Sequence, residues 1–414
     1  MKLCVVWTPQ LFSDNKKCFD GYKIVLRGFS SGAYTWWDLK NMTKPSVVIS
    51  ANTAWNIYNF RKELIIALQA EGYNIFFVSP SDDSVPHLKA MGCEHVPIVM
   101  VSSGTSPVHD MKLCWSYRKI LKKIKPEVYL GYTIKPNIYG SIAAHMTSTP
   151  TINNISGLGT VFIKKSWITR VVRFLYKLAL SRAGIVFFQN SDDQAEFVAE
   201  SLVEEEKCRC LPGSGIDLEH FSSSRRVSTG EKRQFLLIAR LLWDKGIREY
   251  VEAAKIVKSQ FPSIRFKILG FLGVDNRTSV PKEAVENWVE KGLIEYLGST
   301  SDIRPFIEDV DCVVLPSYRE GTPRSLLEAA ALSRPIITTD VPGCRQTIDD
   351  EVSGFLCQVR DSADLAAKMI QYLELSPDEQ RAMGDMGRKK MENEYAVSIV
   401  VESYLEAIDD VRRK

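Results

Sequence analysis

The sequence lacks the long hydrophobic run that a membrane-spanning helix needs, because it contains no stretch of about 18 apolar residues. A strong net charge is also missing. The 53 basic and 50 acidic residues leave a formal charge of +3, so we expect no nucleic-acid partner. The nine cysteines show no metal-ligand spacing, and the closest pair, Cys208 and Cys210, fits two strand residues better than a site. We therefore expect reduced thiols and a cytoplasmic protein.

The length and the alternation of patterns predict the fold class. A chain of 414 residues is too long for one hydrophobic core and suggests two domains of roughly 200 residues each. Short apolar segments alternate with amphipathic ones, which indicates an α/β protein with parallel, doubly wound sheets. The predicted strands cover residues 46–50, 73–78, 128–130, 150–152, 184–188, 235–240, 265–270, 294–298, 311–315, 335–339 and 354–356. A helix is expected over 59–71, after a loop at 52–56.

Residues 316–323, here called the Glu320 loop, connect a strand to a helix and contain the most informative motif of the sequence. Thr322 is a good N-cap and Pro323 suits the first helical position, so a helix that includes 325–332 is predicted. The amino end of a helix presents N–H groups and a partial positive charge, which favour a phosphate. Carboxylates beside such a site suit a ligand that carries both hydroxyls and phosphates, such as a nucleotide sugar.

Two glutamates, Glu320 and Glu328, flank the turn Gly321-Thr322-Pro323. This pattern resembles the signature of retaining glycosyltransferases of the GT-B fold, family 4. The resemblance implies that Glu320 contacts the donor sugar and Glu328 the ribose hydroxyls, with the three turn residues also in the donor site. An ordinary helix start with two solvated acids is the alternative.

Two cations, Arg240 and Lys245, flank the first strand-to-helix turn of the second half of the chain. In the family that the sequence resembles, such a pair binds the donor diphosphate. Charge-assisted hydrogen bonds of about 1.5–3 kcal/mol each fit that role, although two solvated surface charges would give the same pattern. The resemblance also implies that Gly270 and Leu297 belong to the donor site, and that Glu320, Arg240 and Lys245 are the catalytic residues.

The first half of the chain resembles the subgroup of that family that builds lipid-linked oligosaccharides, in its segments 52–61, 132–136 and 156–159. The resemblance implies an acceptor side made of Asn52, Thr53, Ala54, Lys135, Ser156 and Gly157. Many family members carry a histidine where this chain has Ser156, and none of the five histidines here falls in a recognisable motif. This departure is compatible with a retaining reaction in which the departing phosphate oxygen takes the acceptor proton.

Residues 164–182 form a basic, amphipathic stretch. Its cations are Lys164, Lys165, Arg170, Arg173, Lys177 and Arg182, and the apolar residues at 167, 171, 174, 175 and 178 fall near one helical face. Two interpretations remain open. The apolar face can pack against the core of the first domain, or the helix can lie on an anionic membrane, and both hold if only the basic edge and one aromatic residue touch lipid.

The acids Asp309 and Asp311 resemble the metal-binding pair of a different glycosyltransferase fold, but here they precede a strand. We interpret them as a helix end and a strand start. The sequence therefore predicts no metal site, and we expect no cofactor.

The resemblance implies a GT-B architecture with two Rossmann-like domains that face a cleft. We expect an appended arm at 1–44, an acceptor-binding domain at 45–212, a nucleotide-sugar-binding domain at 213–395 and a helix at 396–414 that crosses back to the first domain.

The expected function is that of a retaining hexosyltransferase, peripheral on the inner face of the cytoplasmic membrane. It would move an N-acetylhexosamine, such as N-acetylgalactosamine, from a UDP-sugar to an undecaprenyl-diphosphate-linked saccharide, as in capsule or O-antigen assembly. A UDP-sugar epimerase of similar fold, a transferase with a soluble acceptor and a non-catalytic nucleotide-sugar binding protein are the alternatives.

Overall fold

The computed structural model describes residues 44–100, 106–157, 167–222, 233–273, 276 and 278–413. The chain divides into two units, Met1–Pro45 and Ser46–Lys414, and the fold described below is that of the second. Except for Lys44, the arm predicted at 1–44 lies outside the described residues, as do Lys164 and Lys165 of the basic stretch.

The first sheet contains seven parallel strands in the order β3-β2-β1-β4-β5-β6-β7. Their bounds are β1 Ser46–Ser50, β2 Asn74–Ser79, β3 Glu94–Pro97, β4 Val128–Tyr132, β5 Thr151–Ile155, β6 Ile185–Phe188 and β7 Cys208–Cys210. The strand order reverses between β1 and β4, which pair in register from Val47 with Val128 onward. Such a switch point opens a crevice at the carboxyl edge of the sheet, where ligands bind in folds of this kind.

The second sheet contains six parallel strands in the order β10-β9-β8-β11-β12-β13. Their bounds are β8 Gln234–Ile238, β9 Arg265–Leu269, β10 Glu295–Tyr296, β11 Cys312–Leu315, β12 Ile336–Thr339 and β13 Gly354–Cys357. Its switch point lies between β8 and β11, which also pair in parallel. The loops that follow these two strands contain Arg240 and Lys245 in one case and Glu320 in the other, so the sheet topology brings the predicted donor residues to one edge.

Helices cover both sheets. In the described residues they are α1 Ala54–Ala70, α2 Val85–Ala90, α3 Pro107–Ile124, α4 Ser141–His145, α5 Trp167–Leu180, α6 Ser191–Ala199, α7 Ile247–Gln260, α8 Lys282–Glu290, α9 Arg304–Glu308, α10 Arg324–Ala331, α11 Ser362–Glu374, α12 Pro377–Glu394 and α13 Val397–Arg413. Short 3-10 turns occur at Glu205–Lys207, Trp243–Lys245 and Arg345–Thr347, and a π-helical turn at Pro136–Gly140. The two parallel sheets, each flanked by helices, confirm the predicted α/β fold class.

Alternate residues of each strand pack on opposite faces of the first sheet. Val47 and Ile49 of β1 belong to a core with α1, α2 and α13, whereas Val48 belongs to a core with α3 and α4. This period of two is expected for strands that are buried on both faces.

The C-terminal helix α13 packs on the first sheet although the second sheet precedes it in the chain. Tyr404, Ile408 and Val411 are buried in the same core as Ile49. The amide Nδ2 of Asn154, in β5, donates a hydrogen bond to Tyr404 Oη at 2.9 Å. Helix α13 therefore belongs to the core of the first sheet.

Several bounds differ from the sequence prediction by a few residues, and two differences are larger. Helix α1 begins at Ala54 rather than at 59, because the Thr53 side chain accepts a hydrogen bond from Asn56 N and caps it. The predicted loop at 52–56 is correspondingly shorter. Strand β3 was not predicted, since its sequence Glu94-His95-Val96-Pro97 has no apolar run.

Candidate active site

The centre of the candidate site is a contact between the loops after β8 and β11. The 3-10 turn Trp243–Lys245 ends at Gly246, which has a positive φ of 73°. A Cβ at Gly246 would lie 2.0 Å from Pro316 O, so only glycine lets these loops approach so closely. Tyr318 N also donates to Asp244 O at 2.9 Å. This approach places Lys245 beside the Glu320 loop.

Lys245 and Glu320 form an ion pair through Nζ and Oε1. Their side chains are only 18% and 13% exposed, so the pair is largely shielded from water. Ser317, which is fully buried, holds the same carboxylate with its hydroxyl 2.7 Å from Oε1. The structure therefore brings two of the three predicted catalytic side chains into direct contact.

Arg240, the third predicted catalytic residue, does not join this contact. Its side chain is exposed, at the end of β8, and it makes no hydrogen bond or ion pair with any residue that the structure describes. The guanidinium is therefore free to bind an anion at the carboxyl edge of the sheet.

Glu328 lies one turn inside α10 and accepts a hydrogen bond from Arg324 Nε at 2.8 Å. Its side chain is 12% exposed. Burial raises the pKa of the Glu328 carboxyl, and the nearby Arg324 guanidinium opposes this shift. The pattern Glu320-x7-Glu328 thus yields two carboxylates that are each paired with a cation, rather than the two solvated acids of the alternative interpretation.

The amino end of α10 differs by one residue from the prediction. The N-cap is Pro323, and the helix begins at Arg324. Thr322 does not cap it, because its hydroxyl donates instead to Gln189 O at 2.9 Å. The prediction of Thr322 as N-cap was wrong because a partner from the first half of the chain competes for that hydroxyl.

Gly270 and Leu297 lie at the same carboxyl edge, at the ends of β9 and β10. Gly270 N donates to Gly298 O at 2.7 Å, and Tyr296 Oη donates to Gly270 O at 2.9 Å. Leu297 is partly buried against the core beneath this edge. Their assignment to the donor site remains a prediction, since no ligand contact tests it.

On the first sheet, the predicted acceptor residues lie in three loops at the carboxyl edge. Asn52 N donates to Thr133 Oγ1 at 3.2 Å, which ties the loop after β1 to the loop after β4. Thr53 caps α1, and Ala54 is buried. Lys135 Nζ is paired with Asp110 Oδ1 at 2.8 Å, so Asp110 is a neighbour that the sequence did not reveal.

Ser156 and Gly157 lie directly against the Glu320 loop. A Cβ at Gly321 would be 2.4 Å from Ser156 O, and a Cβ at Gly157 would be 3.1 Å from Gly321 N. The predicted acceptor side and the predicted donor side therefore meet at Gly321, which explains why that position needs a glycine.

Several residues that hold the Glu320 loop were not identified from the sequence. Asn190 Nδ2 donates to Gly321 O at 2.9 Å, and Arg319 is paired with Asp193 and Glu196 of α6. A signal was available, because the polar run Gln189-Asn190-Ser191-Asp192-Asp193 follows the apolar strand β6. Polar residues directly after a parallel strand lie at the ligand-binding edge.

The acids Asp309 and Asp311 lie between α9 and β11, where the sequence placed them. Asp309 is paired with Lys267 at 2.8 Å, and Asp311 Oδ2 accepts a hydrogen bond from Gln234 N at 2.7 Å. Within the described ranges, no three His, Cys, Asp or Glu side chains are grouped as metal ligands would be.

Helix α5 carries an exposed apolar face. Val171, Phe174 and Leu178 are 47%, 66% and 48% exposed. The helix contacts the core through another face, formed by Val172, Tyr176, Ala179 and Leu180. Of the predicted stripe, Leu175 packs against this core, whereas Val171, Phe174 and Leu178 do not, so the interpretation that the stripe faces the core was wrong for these three residues. Among the described helices, none combines the length and apolarity needed to cross a bilayer.

Comparisons with known families match both halves of the chain. The family described as Glycosyl transferase 4-like matches residues 46–190, and the family described as Glycosyl transferases group 1 matches residues 221–390. The two matched segments each contain one of the two sheets almost completely, and together they span well over half of the chain.

Individual relatives are also glycosyltransferases. The chain is 28% identical over 374 residues to the N,N'-diacetylbacillosaminyl-diphospho-undecaprenol alpha-1,3-N-acetylgalactosaminyltransferase of Campylobacter jejuni, covering 86% of this chain and 96% of that protein. It is 27% identical over 268 residues to the UDP-Gal:alpha-D-GlcNAc-diphosphoundecaprenol alpha-1,3-galactosyltransferase of Escherichia coli, covering 62% and 68%.

A solved structure supports the fold. Anabaena Alr3699/HepE, crystallised in complex with UDP-glucose, aligns with a TM-score of 0.73 at 15% identity, over 88% of this chain and 99% of that one. The two sheets, the cations and carboxylates at the carboxyl edge of the second sheet and the two family matches lead to one conclusion: the chain is a glycosyltransferase of the GT-B fold, with a Glycosyl transferase 4-like first half and a Glycosyl transferases group 1 second half.

Proposed function

We propose that the protein transfers an N-acetylhexosamine from a UDP-sugar to a saccharide carried on undecaprenyl diphosphate, with retention of the anomeric configuration. The observation that carries this proposal is the ion pair of Lys245 and Glu320, which lies where Gly321 meets Ser156. A donor diphosphate at Lys245 and an acceptor at Ser156 would come together at that point.

In the donor half of the proposed site, two cations bind the diphosphate and two carboxylates orient the sugar and the ribose. Lys245 has three N–H donors, so it can hold Glu320 and a phosphate oxygen at once. Arg240 supplies a second cation, and together they stabilise the charge that develops on the leaving diphosphate. Glu320, fixed by Lys245 and Ser317, orients the sugar, and Glu328 accepts hydrogen bonds from the ribose hydroxyls.

The proposed reaction needs no side chain as a base. The acceptor oxygen forms a bond to the anomeric carbon on the face from which the diphosphate departs. The bond between that carbon and the β-phosphate oxygen breaks, and the oxygen takes the proton of the acceptor hydroxyl. The products are UDP and the extended saccharide, so atoms and charge balance. Ser156 fits this scheme, because its hydroxyl is far too weak a base at neutral pH.

The choice of a lipid-linked acceptor is supported by the relatives and by helix α5. Both relatives have names that state a diphosphoundecaprenol-linked acceptor. Arg170 and Lys177 are exposed and lie one turn from Phe174, beside the exposed apolar face. Such a face suits an anionic lipid surface, so we propose a peripheral enzyme on the inner face of the cytoplasmic membrane.

We propose that transfer requires no metal ion. Asp309 and Asp311 already hold Lys267 and the backbone of Gln234. The cations Arg240 and Lys245 can neutralise the diphosphate in place of a metal. Activity in a chelator such as EDTA tests this, and a loss that manganese restores would contradict it.

The direct test is a donor screen with undecaprenyl-diphosphate-linked N-acetylhexosamine, in which mass spectrometry follows both the lipid and the nucleotide. The proposal predicts that the lipid gains the mass of one N-acetylhexosamine while UDP is released. Conversion of the UDP-sugar to its epimer without acceptor would identify an epimerase. Equal transfer to the free saccharide would indicate a soluble acceptor, and binding without turnover a non-catalytic protein.

A further inference from the structure

The backbone of the Glu320 loop is held by residues of both sheets. On the side of the second sheet, Tyr318 N donates to Asp244 O and Glu320 N to Pro342 O. On the side of the first sheet, Asn190 Nδ2 donates to Gly321 O at 2.9 Å. Position 320 therefore lies between anchors that belong to different halves of the fold.

Arg319, the residue directly before Glu320, supplies the strongest of the anchors toward the first sheet. Its Nη2 donates to Asp193 Oδ1 and, at 2.8 Å, to Glu196 Oε2. The Asp193 side chain is completely buried, and its backbone N–H donates to Asn190 Oδ1 at the amino end of α6. A carboxylate buried in this way needs a cation, and Arg319 is the one that it contacts.

We propose that Asp193 and Glu196 are positioning residues, which act through Arg319 to set the position of the Glu320 carboxylate. Arg319 and Glu320 are adjacent, so a change in the backbone at Arg319 is passed directly to Glu320 through their planar peptide bond. The partners of Arg319 lie in α6 of the first half. The Glu320 carboxylate therefore takes this position only when the Glu320 loop is in contact with α6. This inference rests on the proposed function, since it assigns a task to Glu320 in transfer.

The first experiment is independent of activity. Hydrogen exchange is measured on peptides that contain Tyr318 and Glu320, in the parent and in Arg319→Met. The inference predicts faster exchange in these peptides but not in β11. Arg265→Met is the matched control, because it also removes an arginine that donates two hydrogen bonds to carboxylate oxygens. Arg265 donates to Glu295 at 2.5 and 2.6 Å, and it lies at the start of β9, at the end opposite Gly270.

Arg319→Met leaves the buried Asp193 without its cation and can therefore fail to fold. The double variant Arg319→Met/Asp193→Asn removes both charges together and avoids this defect. It should show the same faster exchange around Glu320. Unchanged exchange in a folded double variant would overturn the inference, whether or not the protein is a transferase.

The kinetic experiment asks whether Arg319 acts through Glu320. Displacing a reacting group by about 1 Å can cost up to ~100-fold in rate. We therefore expect Arg319→Met/Asp193→Asn to lower kcat by about 10- to 100-fold, with the affinity for UDP unchanged because UDP lacks the sugar that Glu320 orients. Arg265→Met should retain the parental kcat.

A non-additivity test separates positioning from a merely structural role. In a Glu320→Gln background, adding Arg319→Met/Asp193→Asn should lower kcat by less than threefold, because the residue through which they act is already altered. Two results would overturn the inference. One is that the double variant lowers kcat in the Glu320→Gln background by the same factor as in the parent. The other is that, with Glu320 intact, the double variant keeps kcat within twofold of the parent. A parent without transfer to any acceptor would instead refute the proposed function, while the exchange experiment would still decide the role of Arg319.

Discussion

At the scale of single residues, Arg240 and Lys245 differ in a way that the sequence did not reveal. Lys245 is bound to Glu320, whereas Arg240 is exposed and unpaired within the described part of the chain. Truncating Lys245 therefore disturbs a second functional group, but truncating Arg240 removes one cation and leaves its surroundings intact. Arg240 is the cleaner probe of diphosphate binding.

We predict that Arg240→Ala lowers kcat/KM for the donor by about 10- to 150-fold, since one charge-assisted hydrogen bond contributes about 1.5–3 kcal/mol. The unfolding temperature should not change, because the side chain has no partner among the described residues. Steady-state kinetics and calorimetry measure both quantities. Lys255→Ala, an exposed cation on α7, is the control. Near-normal activity in a folded Arg240→Ala protein would contradict the assignment.

Glu328 gives a prediction about pH. Its pKa is raised by burial, against the opposing effect of Arg324, above the ordinary 4.5 of a glutamate. Because the ionised carboxylate is the form that accepts hydrogen bonds from two ribose hydroxyls, kcat/KM for the donor should fall as the pH drops through this raised pKa. The loss should thus begin at a higher pH than for an unperturbed glutamate.

The matched variant is Glu328→Gln, which keeps the shape of the side chain but cannot titrate. Its kcat/KM should be lower than that of the parent at neutral pH and should lack the acidic limb assigned to this group. An identical acidic limb in parent and variant would show that another group titrates.

The residue scale also shows where sequence reasoning ends. The motif around Glu320 identified its own residues, since they are neighbours in the chain. Asp193 and Gln189 were missed, because their contacts with Arg319 and Thr322 span more than 120 positions and depend on how the two sheets meet. No local pattern specifies such a contact.

At the scale of elements, helix α5 has two apolar faces, and the sequence could not tell which one is buried. Its periodicity identified the stripe at 167, 171, 174, 175 and 178, of which Val171, Phe174 and Leu178 are exposed, whereas the core contact is formed by Val172, Tyr176, Ala179 and Leu180 with Leu175 packed against them. A helix with a buried face and an exposed apolar face beside Arg170 and Lys177 is suited to a membrane surface.

We predict that Arg170→Glu/Lys177→Glu weakens binding to anionic liposomes by at least about tenfold, since each basic residue near such a surface contributes about 1 kcal/mol. Calorimetric binding of UDP should be unaffected. Sedimentation with phosphatidylserine vesicles measures the first quantity.

The control for α5 is Lys62→Glu/Lys89→Glu, which reverses two exposed charges on α1 and α2. These helices pack on the opposite face of the first sheet from α5. Equal sedimentation of all three proteins would show that α5 does not contact lipid.

Element bounds were less predictable than element types. Helix α1 begins five residues before the expected position because the Thr53 side chain caps it. The N-cap of α10 lies one residue after the expected position, because the Thr322 hydroxyl donates to Gln189 instead. Both shifts arise from single hydrogen bonds that compete with, or add to, the local propensity. The short strand β3, which has Glu94 and His95 in its sequence, has too little apolar character to be recognised.

At the scale of the whole molecule, the alternation of strands and helices was enough to predict parallel sheets, because hydrophobic periodicity encodes that pattern directly, and the chain length predicted two domains. A helix at 396–414 that crosses back to the first domain was also expected, whereas the domain limits themselves stay a prediction. Helix α13 packs in the core of the first sheet through Tyr404 and Ile408, so it stabilises that sheet. Tyr404 also accepts a hydrogen bond from Asn154, which lies two residues before Ser156.

The arrangement of the donor and acceptor residues also predicts the stereochemistry of transfer. Arg240, Lys245 and the amino end of α10 lie on the donor side, whereas Ser156 offers no base on the acceptor side. A leaving diphosphate that takes the acceptor proton keeps the new bond on the face of the old one. An α-linked UDP-sugar should therefore give an α-linked product.

The most direct test of the retaining mechanism is the configuration of the new linkage in the first product. After transfer from an α-linked UDP-N-acetylgalactosamine, or from the donor that the screen identifies, the coupling between the anomeric proton and its neighbour is measured by NMR. We predict the small coupling of an α linkage. The large coupling of a β linkage would mean that a base acts on the acceptor side, and it would contradict the retaining mechanism in which the leaving diphosphate takes the acceptor proton.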